Sequence, residues 1–305
     1  MKDIFRFLMT LAFGALILSP LPFILRATYL IHFMIMLFIY IAMAESWNLI
    51  GGYCGQIALY HASFFGLGAY SFAILLLNNV NPIIGIIFSG IVSSLFALAT
   101  SPLLKLGKTY FAAVTLVSSE ILKTVFINWK EAGGASGLVL PKYSGYSLVN
   151  NYFAALSLSL IILFVVFIIV RSRAGLALMC IRENETAAES IGISVFRFKI
   201  FALVISGLMA GLAGACYASY FLYILPHSIF SVAWTGVGAF SCLIGGRGTL
   251  LGPIIGSSIY LLVSEVFLGF GEISLLVIGL VIVAIVLFAP RGMLGVLEKY
   301  LYKYK

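Results

Sequence analysis

The sequence predicts an all-α polytopic membrane protein of about ten transmembrane helices, and three observations carry that prediction. First, 63% of the 305 residues are hydrophobic and only 9% are charged, whereas a soluble domain carries about 25% charged residues. Second, apolar runs near the length of about 20 residues that crosses a bilayer core recur from end to end. Third, the Lys and Arg residues fall in short clusters between those runs, almost all on alternate sides. Together these exclude a soluble enzyme, a nucleic-acid-binding domain and a disordered chain. The net charge of +8 is a positive-inside bias and does not signal nucleic acid.

The runs, in order, are 8–25, 28–50, 58–79, 83–104, 110–128, 152–170, 199–222, 233–246, 250–268 and 273–289. The first follows Lys2 and Arg6, as a signal peptide would. It is long for one, no A-x-A-like cleavage site follows, and the next span begins at once, so a retained anchor is expected. The eighth run is short. With both termini on the inner side, fourteen of the eighteen Lys and Arg residues are inner, three are outer, and Lys123 lies within a span. The whole chain, 1–305, is expected to be one transmembrane domain. Its two long connections are an outer loop, 129–151, and an inner polar loop, 171–198. Cys54, Cys180, Cys216 and Cys242 are scattered, so neither a disulfide framework nor a metal site is implied.

A short self-similarity suggests an inverted pseudo-repeat. Gly66–Ile74 and Gly236–Ile244 share five of nine residues at an offset of 170, and the topology runs them in opposite directions. Small residues there also have a plain packing use, since they let helix backbones approach in lipid. Each copy neighbours Gly-rich backbone: Gly51, Gly52 and Gly55 before the first, and Gly245, Gly246, Gly248 and Gly252 after the second. Broken helices at membrane depth occur only where protein buries them or water lines them, so they point to a translocation path.

Chemistry-bearing motifs are few. Gly107-Lys108-Thr109 mimics the end of a phosphate-binding loop, but Pro102 stands where its first glycine belongs and no strand precedes it. Any ATP hydrolysis would therefore be done by another chain. His32, His61 and His227 lack metal-ligand spacing, and the acids Glu183, Glu185 and Glu189 read as solvated or interfacial charge. No catalytic residue, cofactor or metal is expected. Glu45 and Glu265 lie near span ends, within reach of the interface. Glu120 sits mid-span with Lys123 three residues on, close enough to pair. Thr115, Ser119 and Lys123 form one polar stripe, either a path lining or a structural seam. In the inner loop, Asn184 suits an N-cap and Gly192 a C-terminal stop, giving a helix of about two turns that must dock on something to persist. That partner is either its own bundle or another subunit, with Ala187, Ala188 and Ile191 as contacts.

These residues resemble the permease subunits of branched-chain amino acid ABC importers, of the LivM type, over nearly the whole chain after the first span. The block from Asn48 to Tyr70 is similar to that family's G-x-x-G-Q-x-S-x-G-H-x-x-F-x-x-x-G-A-Y, with Gln56 and His61 in register and Ala58 and Tyr60 departing from it. Tyr110 to Leu116 followed by Glu120 resembles Y-F-A-x-x-T-L-x-x-x-E. Gly133-Gly134 and Gly137-Leu138 resemble T-G-G-x-x-G-L, with Ala132 in place of the Thr. Ala187, Ala188 and Gly192 match the coupling motif E-A-A-x-x-x-G, with Thr186 at its Glu position, Glu185 one residue earlier and Arg182 just upstream. Gly245 to Pro253 matches G-G-x-G-[ST]-x-x-G-P.

The resemblance implies a non-enzymatic channel subunit that moves branched-chain or related amino acids into the cytoplasm through a bacterial or archaeal plasma (inner) membrane. It implies a complex with a second permease, two ATP-binding subunits and an external substrate-binding protein. Arg182, Glu185, Ala187, Ala188 and Gly192 would couple to the ATPase, and Gln56, His61, Thr115, Ser119, Glu120 and Lys123 would line the path. The alternative is a secondary carrier of small amino acids driven by an ion gradient, which would need no coupling helix.

Overall fold

A computed structural model describes residues 2–24 and 28–267, together with isolated positions between 276 and 295. The tenth predicted span, 273–289, lies largely outside the described residues. The described helices are α1 (Lys2–Leu18), α2 (Leu21–Ile24), α3 (Thr28–Trp47), α4 (His61–Leu77), α5 (Pro82–Ala99), α6 (Lys108–Asn128), α7 (Leu148–Arg171), α8 (Arg173–Glu183), α9 (Glu185–Ser190), α10 (Val195–Phe221), α11 (Pro226–Ile229), α12 (Val232–Gly245) and α13 (Gly252–Phe267). Among the described residues, seven helical segments are long and apolar enough to cross a membrane, and α4 and α13 are shorter apolar helices. The first nine predicted spans thus fall on helices, with shifted boundaries and with breaks that shorten the third and ninth.

Local chemistry sets several of these boundaries. The Asn81 side chain caps α5 by accepting from Ile83 N–H, with Pro82 opening the helix where its missing donor is harmless. Ser147 caps α7, and Ser172 caps α8 through two backbone amides. Asn184 caps α9 as the sequence suggests, accepting from Ala187 N–H at 3.1 Å. Gly192 lies beyond its end at φ +85°, a conformation that favours glycine.

Helix α10 is the central column, packed along α4 and α5, while α3 packs on α7, α12 and α13. The α4–α10 crossing brings backbone onto backbone: a Cβ on Gly68 would stand 2.0 Å from Gly211 O, and one on Gly214 2.0 Å from Phe65 O. The second repeat copy meets α3 in the same way, Gly238 lying against Met43 O and Trp47 Cβ. Each copy therefore sets its second glycine against the long helix of the other half, the reciprocal packing that inverted halves produce. Without a hydrophobic drive between helices in lipid, such close van der Waals contact is a main source of cohesion. At the end carrying loop 129–147, Leu138–Val139 (β1) pairs antiparallel with Tyr223–Ile224 (β2), tying that loop to the α10–α11 connection.

Candidate functional site

The first break begins where α3 ends. Asn48–Tyr53 forms a π-helical turn, and no regular helix resumes until His61. The Cys54 amide bonds to Leu49 O at 3.2 Å and the Gln56 amide to Ile50 O at 2.9 Å, both wider than the α-helical spacing. Leu59 lies level with Thr115, seven residues along α6, or about 10 Å from its start at 1.5 Å per residue. Backbone at that depth must find partners within the protein, and side chains supply them. Trp47 Nε1 donates to Ala58 O at 2.9 Å, and the Leu59 amide donates to Thr115 Oγ1 at 3.1 Å. Thr235, on α12, donates to Leu59 O at 3.2 Å and accepts from the Ala62 amide at 3.0 Å.

The second break, after α12, is held against the first. Asn48, fully buried, accepts from the Gly248 amide at 2.8 Å and donates to Thr249 O at 2.8 Å and to Glu45 Oε2 at 3.2 Å. A Cβ on Gly52 would lie 2.6 Å from Gly248 N, and a Cβ on Gly245 would lie 1.7 Å from Gly252 O. Glycines some 200 positions apart in sequence thus meet at one point. Glu45, read as reaching the interface, is instead fully buried, with Oε1 lacking a hydrogen-bond partner among the described residues.

The polar arm α8–α9 seats on this junction. Arg182 Nη1 donates to Gly52 O at 3.2 Å, and Arg182 also pairs with Glu183 at 2.9 Å. Its side chain lies across Gly55 and Gly248, where any Cβ would strike it. One residue past the α9 cap, the Glu185 carboxylate accepts from Gln56 Nε2 at 2.8 Å and from Lys199 Nζ at 2.6 Å, with Lys108 Nζ at 3.7 Å. Glu185 is therefore bound to the bundle, which corrects its reading as solvated charge. Partial burial works to raise the pKa of its carboxyl. The hydrogen bond and charge of Lys199, the Gln56 amide and Lys108 outweigh that, and hold it below the ordinary carboxylate range. A groove of about 420 Å³ opens beside it, between Leu104, Lys105, Glu189, Val195 and Phe196.

The arm divides its contacts between two sides. Ala188 is buried against the bundle, whereas Ala187 is exposed and Ile191 is 71% exposed. Both alternatives left open by the sequence thus have residues to serve them.

The path residues separate. Gln56, His61, Thr115 and Ser119 are buried together. His61 Nε2 meets Ser206 Oγ at 2.8 Å, Ser206 donates to Ser46 O at 2.7 Å, and Ser119 Oγ lies 3.0 Å from Ser63 Oγ. These contacts join α3, α4, α6 and α10 as a seam. Glu120 and Lys123 do form an ion pair, but on another face of α6: the Glu120 side chain is 47% accessible and that of Lys123 22%. Asn48, Trp47, Lys199, Ser206 and Thr235 were not singled out by sequence. Only Asn48 carried a signal, a buried amide three residues before the Gly51-Gly52 pair.

Comparison with known proteins matches this architecture to one family. Residues 29–286 match the family model described as branched-chain amino acid transport system / permease component. The chain is 29% identical to the high-affinity branched-chain amino acid transport system permease protein LivM of Salmonella typhimurium, over 85% of this chain and 68% of that protein. It is likewise 29% identical to the LivM of Escherichia coli, over 84% and 68%, and 26% identical to a probable LivM of Methanocaldococcus jannaschii, over 66% and 64%. No solved structure matches the chain. The match covers every described helix from α3 to α13, both breaks and the polar arm, and the chain belongs to the family of branched-chain amino acid transport permease components.

Proposed function

We propose that this chain is the LivM-type membrane subunit of an ATP-driven importer, admitting branched-chain or related amino acids to the cytoplasm, and that its arm α8–α9 receives the motion of ATP-binding subunits. The observation that carries the reading is the contact of Glu185 with Gln56, which ties the coupling-type helix to non-helical backbone instead of to a lipid-facing helix side. A carrier working alone has no use for an external arm seated on its own break. The relatives' names support the substrate class, and the chain's own charge distribution supports inner termini and an inner arm. A second permease, a pair of ATP-binding subunits and an external binding protein complete the proposed assembly.

Exposed arm residues test this without disturbing the fold. Ile191→Arg and Ala187→Arg change side chains that this chain leaves uncovered. Both variants should reach the membrane at normal levels yet lose co-purification with the ATP-binding subunits and lose ATP-driven leucine uptake. Normal uptake by both variants refutes the docking role. Ala188→Arg is a weaker probe, because it places a charge in a buried site and would unseat α9 from its own bundle.

A further inference from the structure

Helix α6 turns two different faces to its surroundings. Phe111, Thr115, Ser119 and Phe126 are buried against the bundle. On the opposite side Thr109, Ala113, Glu120 and Thr124 are exposed as a narrow polar and small-residue stripe, bordered by the exposed apolar residues Val114, Val117, Ile121 and Val125. Glu120 is the thirteenth residue of a 21-residue helix, about 18 Å from its start at 1.5 Å per residue. A charge facing lipid at such depth is costly, and intramembrane ionisable residues accordingly face bundle interiors or water-filled cavities. The bundle interior lies on the other side of α6. The stripe therefore faces water or a polar partner.

The chemistry of the pair narrows what passes there. Glu120 and Lys123 are the only charged residues within α6 beyond its first residue, Lys108, and their one ion pair is with each other. Closed on itself, the pair adds no net charge to that polar stripe. Opened, it offers one carboxylate and one ammonium group side by side, the inverse of the ammonium and carboxylate that an α-amino acid carries on a single carbon. We propose that Glu120 and Lys123 form a transfer site for the zwitterionic head of the substrate, Glu120 taking its ammonium and Lys123 its carboxylate. One ion pair within the protein is exchanged for two with the substrate, so the path holds no net charge in either state. The apolar side chain of the solute is left to Leu116 and Val117, both exposed one turn before Glu120. The inference rests on the importer reading above.

The test uses the complete transporter in proteoliposomes with its binding protein, reading complex yield, basal ATP hydrolysis and leucine uptake. Glu120→Gln should lower uptake at least about tenfold, the worth of one charge-assisted hydrogen bond of about 1.5–3 kcal/mol. The exchanged variant, Glu120→Lys with Lys123→Glu, restores the pair and with it the yield of assembled complex. Its uptake should stay at least about tenfold down, because each substrate charge now meets its like. Wild-type uptake by the exchanged variant would overturn the proposal and make the pair a structural seam.

Thr124→Cys keeps both charges in place and supplies a readout that does not depend on them. In a background lacking the four native cysteines, that thiol should react with a charged, membrane-impermeant methanethiosulfonate reagent, and leucine should slow the reaction. A thiol unreactive with and without ATP overturns the proposal as well. Failure of the wild-type complex to bind ATP-binding subunits would instead defeat the importer reading, and the labelling arm would still report whether the α6 face is wet.

Discussion

Replacing Glu185 by Gln should release the arm from the bundle while leaving the bundle folded. The amide keeps the shape of the carboxylate and an oxygen for Gln56, but it removes the counter-charge from Lys199, whose side chain is only 6% accessible and whose Nζ stands 2.6 Å from Glu185 Oε2. Breaking a buried pair costs about 3–5 kcal/mol, whereas a surface pair is worth about 0–1 kcal/mol. With Lys199 buried and the Glu185 side chain 30% accessible, the loss lies between, at about 2–3 kcal/mol. That falls on a six-residue helix whose other anchors are Ala188 and the Arg182 seat, so the loss should appear as local opening. An opening free energy lower by that amount raises the open population by about 30- to 150-fold. Amide hydrogen exchange across 185–192 should accelerate by that factor, while α4 and α10 stay protected. Adding Lys199→Met removes the stranded cation and should recover most of the protection. Unchanged exchange in Glu185→Gln, or a double variant that opens more than the single one, refutes the argument.

Three further outcomes follow from the same geometry. Asn48→Ala strands the Gly248 amide, Thr249 O and the Glu45 carboxyl; at about 1–3 kcal/mol for each unsatisfied group, thermal unfolding of the purified protein should drop clearly and the two breaks should lose their register, and an unshifted melting curve would contradict this. Thr235→Val keeps shape but leaves Leu59 O and the Ala62 amide without their partner, so membrane levels should fall, while Thr235→Ser, which keeps the hydroxyl, should match wild type. Because the Glu185 carboxyl is held below its ordinary range, the unfolded arm binds more protons than the folded one, so this contact stabilises fully at neutral pH and is lost only as pH falls through the lowered value. Arm exchange, corrected for the intrinsic pH dependence of amide exchange, should be flat from pH 8 to pH 6; a rise within that window would assign the linkage to another group.

Spans, breaks and the arm's caps were legible in the sequence because each has a local cause. Apolar length sets the spans, and Asn184 and Gly192 mark the ends of α9 through cap chemistry and backbone conformation. What escaped was long-range and polar. Nothing local to Lys199 says that its ammonium closes on an acid fourteen residues earlier, or that Thr235 reaches across 176 positions to Leu59. The stripe of Thr115, Ser119 and Lys123 was legible as a stripe, but the placing of Glu120 beside it was not, for a related reason. Helical periodicity gives relative angles but no absolute facing, and one face of α6 holds Thr115 and Ser119 inward while Glu120 turns away from the bundle. Glu45 escaped because distance along a span does not report burial by neighbours.

The breaks and the arm belong to one device, and the backbone shows why. In an α-helix the amide of residue 56 would close on the carbonyl of Gly52, leaving that carbonyl only its second lone pair for another element. Here the π turn sends the Gln56 amide to Ile50 O instead, and Arg182 takes the Gly52 carbonyl. The same loss of regularity lets the Gln56 side chain turn toward Glu185. A continuous helix could be pushed by the arm only through its side chains, sliding as a rigid rod. A broken one presents its own main chain as the handle, so a displacement of α8–α9 acts directly on the geometry of the break. Gly52, Gly55 and Gly248 keep the handle within reach, because a Cβ on any of them would occupy the space of Arg182 or of the opposing break. On the reading proposed here, these glycines matter to transport less as hinges than as the clearance that lets a cytoplasmic guanidinium grip a main-chain carbonyl beside the path.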